Sequence, residues 1–238
     1  MHEHAFPMRW ADLDQLNHVN NVVYLDYAAE ARALLTQQGV VGADRDVAAM
    51  AVRFLRPMHL TREAVVVRST SDGDTLSQDI TVASRGSSAP FAEVTTRYGD
   101  RPAAAPRDDV PSLPVNVRRS DLDELGAVRL TKLFELFQEV RVLMISTHLG
   151  SMRSGSFVVG SSSVAFGAPV PWRLEPYVVR VWVSRVGRAS FEIRCQLTDD
   201  NTVLADSTTV MVGFDQDAES SRPFGEDERA QLQELLRD

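Results

Sequence analysis

The chain has 238 residues, 44% of them hydrophobic and 24% charged, with a formal net charge of -8. That balance excludes global disorder and supplies apolar surface for a sizeable core. The acidic excess argues against broad nucleic-acid binding, for which a basic face would dominate affinity.

The length suits one large domain or two ordinary ones. Met1–Trp10 lacks the basic-then-apolar order of a secretory signal. No later segment approaches the roughly 20 apolar residues that cross a bilayer. The lone cysteine, Cys195, suits a reducing compartment. The expectation is a soluble cytoplasmic protein with no nucleic-acid or membrane partner.

Taken in chain order, the first informative stretch is residues 8–32, MRWADLDQLNHVNNVVYLDYAAEAR, because it returns at 117–141 as VRRSDLDELGAVRLTKLFELFQEVR. An offset of 109 residues, which takes Asp14 to Asp123, matches eight of 25 positions: Arg9, Asp12, Leu13, Asp14, Leu16, Val19, Glu30 and Arg32. Repetition of this kind marks a duplicated unit and has to be recognised before elements are assigned.

Within the first copy, Asn20 or Asn21 is a favoured helix N-cap, and Val22, Val23, Tyr24 and Leu25 open an apolar pattern, so a helix is predicted over 22–37. Four β-branched runs follow, at about 47–58, 62–72, 75–85 and 90–99, separated by Asp72-Gly73-Asp74 and by Gly86-Ser87-Ser88. Pro102, Pro106, Pro111 and Pro114 then predict an extended crossing segment over 102–116. The domain reading is therefore 1–101 for the first half, 102–116 for the linker and 117–238 for the second half.

The second copy predicts a helix over Leu130–Ile145, with Leu133, Phe134, Leu136, Phe137, Val140, Val142, Leu143, Met144 and Ile145 around most of its circumference; a helix apolar on nearly all sides should be buried. Strands are predicted at about 156–168, 177–187, 189–199 and 202–214, with turns at Gly187 and Asp199-Asp200-Asn201. Phe191, Ile193, Cys195 and Leu197 alternate on one strand face, which makes Cys195 a core residue rather than a nucleophile. Ala230, Leu232, Leu235 and Leu236 give a short amphipathic helix over roughly 225–237. Each half thus reads as α+β: a short strand, a loop, one long helix and four antiparallel strands curling around it, since a twisted antiparallel sheet curves in that way.

The stretch from Asp12 to Leu25 carries D-x-x-x-H-V-N-N-x-x-Y-L from Asp14 onward. It resembles the signature loop of hotdog-fold thioesterases, in particular the 4-hydroxybenzoyl-CoA thioesterase-like family, whose long-chain acyl-CoA members and acyl-carrier-protein relatives share the pattern. The resemblance implies a tandem, or double, hotdog that cleaves an acyl-CoA or acyl-carrier-protein thioester. It implies that Asp14 is the catalytic carboxylate, as general base or nucleophile, with the unpaired amides at the helix start, Asn21 and then Val22, as oxyanion donors. His18, four residues on, is placed to orient that carboxylate, hold water or protonate the leaving thiolate, and Asn20 completes the catalytic set. Asp14 as a simple turn or cap residue is the structural alternative.

In the second loop Ala127 replaces His18, Arg129 replaces Asn20 and Leu130 replaces Asn21, so Asp123 reads as a turn residue. Glu135, Gln138 and Glu139 are polar groups on the second helix that could line a pocket. No cofactor is expected beyond the coenzyme A of the substrate, and no metal, since paired histidines or clustered cysteines are lacking. Arg53, Arg56, Arg62, Arg153 and Arg173 are candidate phosphate partners.

Two other functions stay open. One is a non-catalytic acyl-thioester binding protein. The other is a hotdog enoyl- or hydroxyacyl-thioester hydratase or dehydratase, whose relatives place histidine five residues after aspartate with a proline between, against four without one here. A homo-oligomer of tandem chains is also compatible.

Overall fold

The computed structural model describes residues 1–14, 17–83, 89–149, 156–215, 218 and 220–237. The chain divides into two compact units, Met1–Arg101 and Pro102–Asp238. The predicted turn Gly86-Ser87-Ser88 and Arg153 lie outside the described residues.

Unit 1 runs β1 (His2–Phe6), one 3-10 turn (Trp10–Asp12), α1 (Val23–Gln37), then β2 (Val47–Phe54), β3 (Val65–Asp72), β4 (Thr75–Val82) and β5 (Ala92–Tyr98). Its strands lie in the order β1-β3-β4-β5-β2, all antiparallel. Alternation sets the faces. Ala92, Val94, Thr96 and Tyr98 of β5 are buried, while the residues between them are more open. The inward row meets α1, which packs on β3, β4 and β5. The β3–β4 hairpin closes through Gly73 at φ +54, a left-handed turn position that suits glycine.

Unit 2 repeats the plan: β6 (Ser112–Val115), a 3-10 turn (Arg119–Asp121), α2 (Leu130–His148), β7 (Phe157–Phe166), β8 (Tyr177–Val186), β9 (Ser190–Asp199) and β10 (Thr202–Asp215). Its order, β6-β8-β9-β10-β7, is that of unit 1 strand for strand. A two-residue strand, β11 (Ser220–Ser221), pairs with β10. A terminal helix, α3 (Glu226–Glu234), buries Leu232, and the residues after it reach back to β8 through Arg237 N–H to the Val183 carbonyl at 2.9 Å.

Within the predicted crossing segment, Ser112–Val115 forms the edge strand β6. Pro114 is tolerated there because an edge strand has one side without a ladder partner. Helix α2 runs on to His148 and is not buried all round: Leu133, Phe134, Phe137, Val140, Arg141 and Met144 face inward, but Val142 is 55% and Leu143 41% exposed. Apolar residues on every side had suggested a fully enclosed helix, whereas one sheet covers one face.

The 109-residue offset persists through the helices. Tyr24, Leu25, Ala28, Ala31, Leu35 of α1 and Leu133, Phe134, Phe137, Val140, Met144 of α2 are the buried positions that the two helices share. Even the arginine recurs. Arg32 has an Nη that contacts Met50 Sδ at 3.4 Å, and Arg141 donates weakly to Thr209 Oγ1 at 3.5 Å. Burial lowers both guanidinium pKa values, that of Arg141 to about 10. Cys195 is buried in β9, and burial pushes its thiol up to about 12, against reactivity.

Candidate active site

The loop before α1 is fixed by its own backbone. Asp14 N–H donates to the His18 carbonyl at 2.7 Å, and His18 N–H donates back to Asp14 Oδ1 at 3.1 Å. Asn17 N–H donates to the Asp14 carbonyl at 3.1 Å, with Asn17 at φ +60, a left-handed position that asparagine tolerates. Outside contacts complete the frame. Val19 N–H donates to the Met58 carbonyl at 2.8 Å, and Asn20 N–H to the Asp12 carbonyl at 2.8 Å. The Asp12 carboxylate accepts from Arg9 N–H at 2.8 Å and from the Tyr27 hydroxyl at 2.5 Å.

Asp14 is exposed, and His18, Asn20 and Asn21 are half-buried. The helix starts one residue later than expected, at Val23. Val22 is the N-cap, and Asn20 holds the turn that leads into it: Asn20 Oδ1 accepts Val22 N–H at 3.3 Å, and its carbonyl accepts Val23 N–H at 2.9 Å. That changes the oxyanion candidates. The Val22 amide is engaged by Asn20, whereas no acceptor among the described residues engages the Asn21 amide at the start of α1.

Several groups escaped the sequence reading. His59, in the β2–β3 connection, forms an isolated bridge with His18, and the two imidazoles meet edge to face with centroids 4.6 Å apart at 76°. Tyr24 lies under the loop. Burial pushes its hydroxyl up to about 12, the Asp14 carboxylate pushes the same way, and a backbone hydrogen bond from Met58 and the charge of Arg56 oppose. Tyr27 is raised further, by burial and by its bond to Asp12. Nothing in residue spacing brings position 59 to position 18, since that pairing is a product of the tertiary fold. The tyrosines were visible only as members of the apolar pattern.

Beside His59 lies an open groove of about 520 Å³ lined by Pro7, Met8, Leu60, Thr61 and Arg62. Among the described arginine candidates, Arg62 is the one that lines it. Arg53 pairs with Glu93 at 2.5 Å, Arg56 stacks on Phe91 at 3.8 Å while donating to the Ala89 carbonyl, and Arg173 pairs with Asp199 at 2.6 Å.

The second loop has the same backbone. Asp123 N–H donates to the Ala127 carbonyl at 2.7 Å, Ala127 N–H to Asp123 Oδ1 at 3.0 Å, Gly126 N–H to the Asp123 carbonyl at 3.2 Å, Val128 N–H to the Val170 carbonyl at 2.8 Å, and Arg129 N–H to the Asp121 carbonyl at 2.9 Å. Asp123 therefore closes a turn, and Asp14 closes the same turn. Glu135 is engaged by Lys132, Gln138 is half-buried and Glu139 exposed. The described residues contain no cluster of potential metal ligands.

The thioesterase-like superfamily model matches residues 8–98 and again 117–232. The chain belongs to that superfamily. A sequence search of the curated proteins finds no match. Among solved structures, a Lactobacillus plantarum chain provisionally named oleoyl thioesterase aligns over 89% of this chain and 94% of its own, with a TM-score of 0.65 at 11% identity. The 12:0-ACP thioesterase from Umbellularia californica aligns over 89% and 94%, with 0.63 at 11%. A thioesterase superfamily protein from Jannaschia sp. covers 58% of this chain and 99% of its own, with 0.51 at 18%. These likenesses establish the tandem hotdog fold. Among the described residues, no helix is long and apolar enough to cross a membrane.

Proposed function

We propose that this superfamily member hydrolyses an acyl thioester, carried on coenzyme A or on acyl carrier protein, to the free acid and the thiol. One observation carries the reading: the loop that holds Asp14, His18, Asn20 and Asn21 at the start of α1 is complete in unit 1, while the same backbone in unit 2 lacks all but the aspartate.

Asp14, exposed at the turn, takes a proton from water as the water oxygen bonds to the carbonyl carbon, or attacks that carbon itself to give, once the thiolate has left, an acyl-aspartyl anhydride that a water then cleaves to the free acid and the regenerated carboxylate. Negative charge on the carbonyl oxygen is met by the Asn21 amide, where unpaired helix N–H groups and the helix dipole favour it. The carbon–sulfur bond breaks, and the thiolate takes up a proton from His18. Coenzyme A or the carrier arm is part of the substrate, and no further cofactor takes part. The groove beside His59 offers Met8 and Leu60 to an apolar portion and Arg62 to a phosphate. The buried lone cysteine suits the reducing cytoplasm as the place of work. The neighbour named for a 12:0-ACP substrate keeps acyl carrier protein in this reading beside coenzyme A.

The test is thiol release by the purified chain against acyl-CoAs from acetyl through long-chain and aromatic, and against acyl carrier protein. Turnover of at least one class is expected. Saturable binding of acyl thioesters with no thiol released from any would instead support a binding protein.

A further inference from the structure

The two loops form an internal control for the histidine pair. In unit 1 the bridge His18↔His59 stands beside the bond from Val19 N–H to the Met58 carbonyl at 2.8 Å. In unit 2 the bridge Ala127↔Pro171 stands beside the bond from Val128 N–H to the Val170 carbonyl, also at 2.8 Å. The backbone contact forms without an aromatic ring at either position. The paired imidazoles are therefore not a requirement of the fold, and they occur in the loop that retains its other polar side chains.

We propose that His59 is a positioning residue, which holds the imidazole of His18 by edge-to-face contact so that the ring stays aligned with the Asp14 turn. This rests on the thioesterase reading for its kinetic consequence. Three features of the geometry support it. The centroid separation of 4.6 Å and the 76° angle are those of a favoured aromatic pair. His18 is half-buried while His59 is exposed, so the ring in contact with His18 stands on its solvent side. The backbone of His18 is also pinned, by its amide to Asp14 Oδ1 and its carbonyl to Asp14 N–H. What that leaves free is the side chain, with rotation about two bonds, and a neighbouring ring restricts it. A proton donor must keep its nitrogen within hydrogen-bond reach of the leaving atom, and loss of alignment slows chemistry more than it weakens binding.

Stacking asks only for a ring, which separates this role from acid–base chemistry by His59 itself. His59→Ala should lower kcat by about tenfold with KM changed less than about twofold, and His59→Phe should recover most of the loss. On a His18→Ala background, His59→Ala should cost nothing more, because the effect passes through His18. Wild-type turnover in His59→Ala, no recovery in His59→Phe, or an undiminished further loss on the His18→Ala background would each overturn the proposal. A second readout is independent of turnover: the His18 ring-proton resonances should shift in His59→Ala. If the wild-type chain cleaves no thioester, the functional reading has failed, and unmoved His18 resonances would separately refute the ring contact.

Discussion

The loops at Leu13–Val19 and Leu122–Val128 have matching backbones and different chemistry. Each makes an isolated bridge between its ends, an aspartate carboxylate accepting the amide four residues on, a left-handed residue at its tip and a bond to the β2–β3 or β7–β8 connection. Asn17 fills the tip in one and Gly126 in the other, two residue types that tolerate that conformation. Where backbone geometry is at stake, substitutions stay within what the geometry allows. Where it is not, His18, Asn20 and Asn21 have become Ala127, Arg129 and Leu130. The helices show the same division, with Tyr24 and Tyr27 beneath the first loop and Leu133 and Leu136 at the matching positions of α2. The aspartate and the apolar positions thus serve the fold in both units, and the proposed chemistry adds to Asp14 side chains the fold does not need.

Three changes sharpen that contrast. The largest effect is expected from giving the first loop the side chains of the second: Asn20→Arg with Asn21→Leu should cut turnover about 100-fold, since it removes the side-chain bond to the Val22 amide that sets the turn carrying the oxyanion amide, while circular dichroism stays native. Next, the tyrosines of unit 1 predict alkaline sensitivity. Tyr24 is raised to about 12 in the folded chain, against about 10 when unfolded. The native state then holds its proton longer, so this stabilisation is complete below about pH 10 and disappears as pH rises through about 12. Urea denaturation across that range should show a shallower loss in Tyr24→Phe, and an unchanged slope would contradict the assignment. The smallest effect concerns Arg141, which is buried with a weak hydrogen bond to Thr209. Arg141→Met should be neutral or stabilise by about 1 kcal/mol, read as a shift in the urea midpoint.

Much of this was legible in the chain because duplication writes each element twice. The offset that aligned Asp14 with Asp123 also located α1 and α2, and turn residues such as Gly73 and Asp200 marked hairpins whose left-handed positions they occupy. The edge strand β6 was hidden by Pro114, whose signal for extended chain is the same in a linker and at a sheet edge. The exposure of Val142 and Leu143 was illegible because periodicity reports apolarity, not which neighbour arrives to cover it. At the site, the loop residues could be named from their local motif, whereas the engagement of the Val22 amide by Asn20 and the approach of His59 arise from geometry that no spacing rule encodes.

The measurement that tests the central claim most directly pairs Asp14→Asn with Asp123→Asn in one thiol-release assay. Both asparagines keep an oxygen for the loop amide, so both variants should melt within a few degrees of the parent. The account predicts that Asp14→Asn abolishes turnover and Asp123→Asn leaves it within about twofold, consistent with chemistry confined to the first loop. Equal losses in the two, or full activity in Asp14→Asn, would contradict it.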